Sequence, residues 1–210
     1  MTDFKQLKKE RLSKYLKPSA MAYRDLCRTI RTREDGKHPD VLKTLRDEVL
    51  KLLDEEINTV TNISTPDDFE KWHNEICEKI MTIYSKDGKY EFSYGQAQKW
   101  VNMTLKNAYL LSDNLDSVYQ YFHVPVDNKI LRAAYEGKIK DIKIREIKPE
   151  SEDKNIILNK DGANPSWSRW NCKQYIAFQE KVRILLKEKC DNEYYPMDWE
   201  FDIHNNDTEA

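Results

Sequence analysis

At 210 residues and 25.1 kDa the chain has material for one substantial core, or two small ones packed together. Hydrophobic residues make up 39% and charged residues 34%, with a net charge of −2, which argues against a protein that merely coats nucleic acid. Five glycines leave little for a turn-rich barrel or sandwich and tilt the class towards helices. Neither a signal-like N-terminus nor an apolar run of membrane length is legible, so the expected location is the cytoplasm, or the nucleoid if the partner is DNA.

The charge is unevenly spread. Residues 1–51 hold 14 lysines and arginines against 8 acids, and residues 100–148 hold 8 against 6. Residues 52–99 and 149–210 are acidic, at 5 against 10 and 8 against 13. Local basic surplus of this kind can track phosphates, and it is equally the signature of ordinary solvated helix faces. Cys27, Cys77, Cys172 and Cys190 lack CxxC spacing and read as reduced, mostly buried thiols. His38, His73, His123 and His204 are equally dispersed, and no metal is implied.

In chain order, Leu42, Leu45, Val49, Leu52, Leu53 and Ile57 mark an apolar helical stripe. The next helix starts with Thr65 as N-cap, Pro66 at its first position and Asp67 and Asp68 in its first turn. Its apolar face is Phe69, Trp72, His73, Ile76, Ile80 and Ile83, with His73 read as a packed histidine. After a turn at Asp87-Gly88, helices are predicted over about 96–111, 116–121 and 128–135, the last with Asp127 as its N-cap. Residues 139–163, where isoleucines alternate with charges, are either a long loop or a small hairpin. The last firm helix covers about 172–190, with Tyr175, Phe178, Gln179, Val182 and Leu186 inward. The segment from Tyr195 to Phe201 packs back on the body. The expected organisation is one all-α domain over residues 1–204, of one lobe or two around a cleft, with a frayed acidic tail at 205–210.

Two segments carry chemistry: Tyr94-Gly95-Gln96-Ala97-Gln98-Lys99-Trp100-Val101-Asn102 and His123-Val124-Pro125-Val126-Asp127-Asn128. A glycine turn leads into a helix with an early lysine, and a proline-fixed turn delivers an aspartate to a helix start. Over residues 92–135 this resembles the helix-hairpin-helix DNA glycosylase superfamily, in which Gly-x-Gly-x-Lys precedes a segment ending Val-Pro-Val-Asp. The 28-residue separation of Lys99 and Asp127 is most similar to the archaeal-type 8-oxoguanine DNA glycosylases. Ala97 stands where the hairpin has its second glycine, and the four-cysteine iron–sulfur pattern of one branch is missing.

The resemblance implies Lys99 as nucleophile and Asp127 as transition-state stabiliser, with Gly95, Gln96 and Gln98 holding a DNA phosphate at the helix N-terminus. Cleaving an N-glycosidic bond builds positive charge on the deoxyribose, which a nearby carboxylate stabilises. A neutral lysine amine can attack C1′ and form a Schiff base, opening the way to β-elimination. The target base must leave the stack. Met103, four residues after Lys99, falls where the 8-oxoguanine enzymes line the base pocket, and Trp100, Asn102 and Trp170 are further pocket candidates. A helical wheel puts Ala97, Val101, Leu105 and Ala108 on the core stripe and Lys99, Asn102 and Lys106 on the opposite, polar side. The expected activity is a DNA glycosylase with AP-lyase activity. Its substrate would be double-stranded DNA with a flipped oxidised purine, or a modified phage base in defence. The resemblance implies no metal, no organic cofactor, no membrane and a monomer. Rivals are a non-catalytic DNA-binding module and a helical protein-interaction domain.

Overall fold

Proline sets where half of the described helices begin. The computed structural model describes residues 17–33, 38–150, 154–191 and 193–206, and four of the eight α-helices among them start on a proline. These are α1 (Pro18–Leu26), α2 (Pro39–Glu56), α3 (Pro66–Ser85) and α8 (Pro196–Asn206). The first helical residue has no intrahelical use for an N–H, and the ring fixes φ near the helical value. The others are α4 (Tyr94–Leu111), α5 (Asp116–Tyr119), α6 (Asn128–Glu136) and α7 (Cys172–Lys189). The protein is mostly helical, and no helix among the described residues is long and apolar enough to cross a membrane. Residues 1–16 and 34–37 of the basic N-terminal stretch, and residues 207–210 of the expected tail, lie outside the described residues.

The chain divides into two compact units, Met1–Phe92 with Lys99–Tyr119, and Ser93–Gln98 with Gln120–Ala210. Helix α4 therefore begins in the second unit and continues in the first.

In the first unit the expected stripes bury Leu45, Val49 and Leu53 of α2 and Phe69, His73, Ile76, Ile80 and Ile83 of α3. Thr65 caps α3 as its sequence predicts, its hydroxyl accepting the Asp68 N–H at 3.1 Å. Helix α1, which the periodicity does not signal, is tied down by Ser19 Oγ and Lys17 Nζ, each 2.6 Å from the Asp54 carboxylate. A two-stranded ladder pairs β1 (Arg31–Thr32) with β2 (Tyr90–Glu91). Beside it Tyr84 stacks on Phe92 at 4.1 Å, and Tyr23 lies 5.1 Å from Trp100.

The second unit is not purely helical. Residues 139–163, left open between loop and hairpin, contain two strands and part of a third of an antiparallel sheet. Its order is β3 (Glu146–Ile147), β4 (Ile156–Asn159) and β5 (Gly162–Asn164). Strands β4 and β5 form a hairpin in register Asn159↔Gly162. Ile156 and Leu158 face inward while Ile157 and Asn159 face out, as period-two alternation requires. Helix α6 packs on this sheet and ends at Gly137, whose φ of +72° is the left-handed conformation that terminates many helices. Helix α7 opens with a capping box between Asn171 and Gln174 and buries Tyr175, Phe178, Gln179, Val182 and Leu186. Asn205 and Asn206, placed in the expected tail, belong to α8, which runs to Asn206. The cysteines form no disulfide and are not mostly buried: Cys77 is buried, while Cys27, Cys172 and Cys190 are half-buried.

Candidate functional site

Ser93 decides how α4 begins. Its backbone N–H donates to Gln96 Oε1 at 2.8 Å, and its hydroxyl accepts the Gln96 N–H at 3.2 Å. This reciprocal arrangement satisfies two donors at the helix start, and its Ser-x-x-Gln signature is present in the sequence. The Ser93 hydroxyl in turn donates to the Ser168 carbonyl at 2.7 Å. Gly95 donates its N–H to the Trp170 carbonyl at 3.0 Å, and a Cβ there would lie 1.9 Å from the Trp167 carbonyl oxygen. Only glycine admits so close a backbone approach. The amides of Gly95, Gln96 and Ala97, at the helix end expected to hold a phosphate, are all donated within the chain.

Gln98 is wholly buried and reaches the segment that precedes Asp127. Its Nε2 donates to the Val126 carbonyl at 3.1 Å, and its Oε1 accepts the Val126 N–H at 3.3 Å. Two residues earlier Gln179 of α7 does the same to Val124, at 2.8 and 3.0 Å. Residues 124 and 126 are thus held as a strand is held in a ladder, with a side-chain amide on each in place of a neighbouring strand. Arg183 adds to the grip by donating to the carbonyls of Gln120, Tyr121 and Phe122. Between them His123 Nδ1 lies 2.8 Å from the Tyr175 hydroxyl. The segment delivers Asp127 to the N-cap of α6, where its Oδ1 accepts the Ile130 N–H at 3.0 Å. Trp170 is buried in this unit, 5.8 Å from Phe178, with its indole N–H on the Pro165 carbonyl.

The remaining candidates lie on the first-unit part of α4. The face that the helical wheel assigns to polar residues is not solvated. Lys99 is 4% exposed, Asn102 0% and Lys106 8%, beside the core stripe of Ala97, Val101, Leu105 and Ala108. Lysines are almost never buried to this degree unless they are paired. Asn102 Oδ1 sits 3.1 Å from His73 Nε2. An amide oxygen only accepts, so the neutral ring carries its proton on Nε2 and leaves Nδ1 to the Cys77 thiol, 3.7 Å away. Burial pushes the His73 imidazole down to about 4, against the opposing pull of Asn102. Trp100 is fully buried and donates to the Ser19 carbonyl at 3.0 Å. Met103 is half-buried, the one incompletely covered side chain between Gln96 and Ala108.

The structure therefore brings Gly95, Gln96, Gln98, Asp127 and Trp170 into the second unit, and Lys99, Trp100, Asn102 and Met103 onto one helix of the first. Sequence reading did not single out Ser93 or Arg183, and it counted Gln179 as ordinary core. The signal for Gln179 is a glutamine on an otherwise apolar helix face, whose amide must find partners once buried. No family model matches the chain, and no curated protein or solved structure is significantly similar to it.

Proposed function

We propose that the protein is a DNA glycosylase with AP-lyase activity, with Lys99 as nucleophile and Asp127 as the carboxylate that stabilises the transition state. The observation that carries this reading is Lys99, a lysine 4% exposed near the start of an 18-residue helix. The alternative of an ordinary solvated lysine is incompatible with that burial. Support also comes from Asp127, set at a helix N-terminus by a segment that two buried glutamines hold, since the N-terminus is a favourable place for a carboxylate.

In the proposed reaction the Lys99 amine attacks C1′ of the flipped nucleotide. The C1′–N bond breaks with its electron pair going to the base, which leaves protonated. Asp127 faces the positive charge that develops on the sugar. The base takes the proton lost by the attacking amine. The C1′–O4′ bond then opens, O4′ takes up a proton, and the resulting Lys99 Schiff base allows β-elimination that expels the 3′ phosphate. An oxidised purine such as 8-oxoguanine is the first substrate, and a modified phage base the second. Met103, the half-covered side chain between Gln96 and Ala108, is the pocket residue this reading favours. The reading also carries a monomer acting on double-stranded DNA in the cytoplasm, associated with the nucleoid.

A second reading, a non-catalytic DNA-binding module, draws on the cap bond of Asp127, which gives that residue a structural use without chemistry. Product analysis separates the two. Lys99→Gln is expected to abolish strand nicking while duplex binding stays within a few-fold of the parent. Nicking by Lys99→Gln at the parent rate would remove Lys99 from the mechanism.

A further inference from the structure

The second unit carries a basic pocket that the proposed reaction does not use. A cavity of about 360 Å³ opens between α6 and α8, lined among others by Lys129, Arg132, Glu136, Lys138, Ile203 and Asn206. Three of these are cations and one is an acid. The acid, Glu136, is engaged by Lys138 at 2.9 Å, and three cations against one acid give the lining a net positive charge. Lys129 and Arg132 stand three residues apart on α6, on the same face of that helix.

Arg132 is held in a way that suits an anion. Its Nε donates to the Lys160 carbonyl at 2.9 Å, across the β4–β5 hairpin turn, which fixes the direction of the guanidinium. Its terminal nitrogens make no hydrogen bond within the described residues. A guanidinium tethered through Nε presents its remaining N–H groups as a planar fork, and that fork matches two oxygens of a phosphate. Tethering lowers the conformational entropy that is given up when the fork is used. Ile203 and the uncharged Asn206 supply the α8 side of the lining among the described residues.

We infer that this pocket is a phosphodiester-binding site, in which Arg132 and Lys129 grip the DNA backbone beside the helix that Asp127 caps. The inference rests on the proposed DNA-glycosylase reading and adds to it the surface that holds the duplex. Phosphate contacts fix register without reading sequence, so this site would act alike on lesion-bearing and undamaged DNA. It also supplies a phosphate grip elsewhere than the N-terminus of α4, whose first amides are already donated within the chain.

The test is fluorescence anisotropy of the full chain on an undamaged duplex of about 20 base pairs, titrated with salt. Four proteins are compared: the parent, Arg132→Gln, the double variant Lys129→Gln/Arg132→Gln, and Lys181→Gln. The last removes one charge from an exposed position of α7 in the same unit. Removing one phosphate-binding charge should reduce the salt slope by about 0.9, equivalent to roughly eightfold weaker binding at 0.1 M salt. The expected result is a stepwise loss of affinity from single to double variant with Lys181→Gln at the parent value. Parent-like slopes in the double variant would overturn the site while leaving the glycosylase reading standing. An equal loss in Lys181→Gln would also overturn it, by showing that general charge is what matters. A parent that binds no duplex at all would remove both the site and the reading on which it rests.

Discussion

Gly95→Ala is the substitution whose outcome separates packing from ligand binding at the start of α4. The new Cβ would lie 1.9 Å from the Trp167 carbonyl oxygen, 3.0 Å from its carbon and 3.3 Å from the Trp170 nitrogen. All three are backbone atoms, so no rotamer change relieves the overlap and the 167–170 turn has to move. Overpacking of this sort costs about 1–3 kcal/mol. Movement also stretches or breaks the 3.0 Å bond from the Gly95 N–H to the Trp170 carbonyl. Leaving those groups buried and unpaired adds a further 1–3 kcal/mol or so. Alanine's better helix propensity returns at most about 1 kcal/mol. The net expectation is a loss of about 3 kcal/mol, read as a fall in melting temperature of roughly 6–12 °C for a chain of this size. Urea denaturation of the two proteins under identical conditions measures it. A variant within about 0.5 kcal/mol of the parent would refute the packing argument, since that is the ordinary scatter of surface changes. Unchanged stability together with a large loss of duplex affinity would instead give Gly95 a phosphate-binding role.

Three other outcomes follow from the same geometry. Gln98→Leu removes both side-chain partners of Val126 and should cost about 2–4 kcal/mol. It should also raise hydrogen exchange at the Val126 amide and slow base excision more than it weakens DNA binding; an unchanged Val126 exchange rate would discard the clamp. Stability should depend on His73 in acid: above pH 6.5 the ring is neutral folded and unfolded, and the residue adds no pH dependence. Below that value the unfolded chain takes up a proton that the buried ring refuses until about pH 4. Stability should therefore fall by about 3 kcal/mol across this window, and His73→Gln should lack this part of the fall. Finally, Thr65→Ala removes the acceptor for the Asp68 N–H at the start of α3. It should cost about 1 kcal/mol and leave duplex affinity unchanged, as read by denaturation and anisotropy.

Local rules made much of the fold legible from the residues. The caps Thr65 and Asp127, the stripe of α2 and the inward face of α7 all follow from side chains that act within one or two turns. Helix α1 and the three-stranded sheet were harder to read. A nine-residue helix gives little periodicity, and the strands are two to four residues long. The candidate site was legible as positions and not as environments. Gln98 and Val126 are 28 residues apart, and Gln179 and Val124 are 55 apart, so no local pattern announces either clamp. The burial of Lys99, Asn102 and Lys106 was likewise hidden, because a polar helix face reads as solvated until the surrounding chain is known. That burial turns Lys99 from an unremarkable charge into the residue on which the functional reading depends.

Borohydride trapping tests that reading most directly. The parent and Lys99→Gln are incubated with duplexes carrying 8-oxoguanine, uracil, an abasic site or a hypermodified cytosine, in the presence of borohydride. A covalent protein–DNA adduct that forms with the parent and disappears in Lys99→Gln is the expected result, and the duplex that traps best names the substrate class. An adduct that persists in Lys99→Gln, or free-base release with no adduct, would contradict Lys99 as the nucleophile.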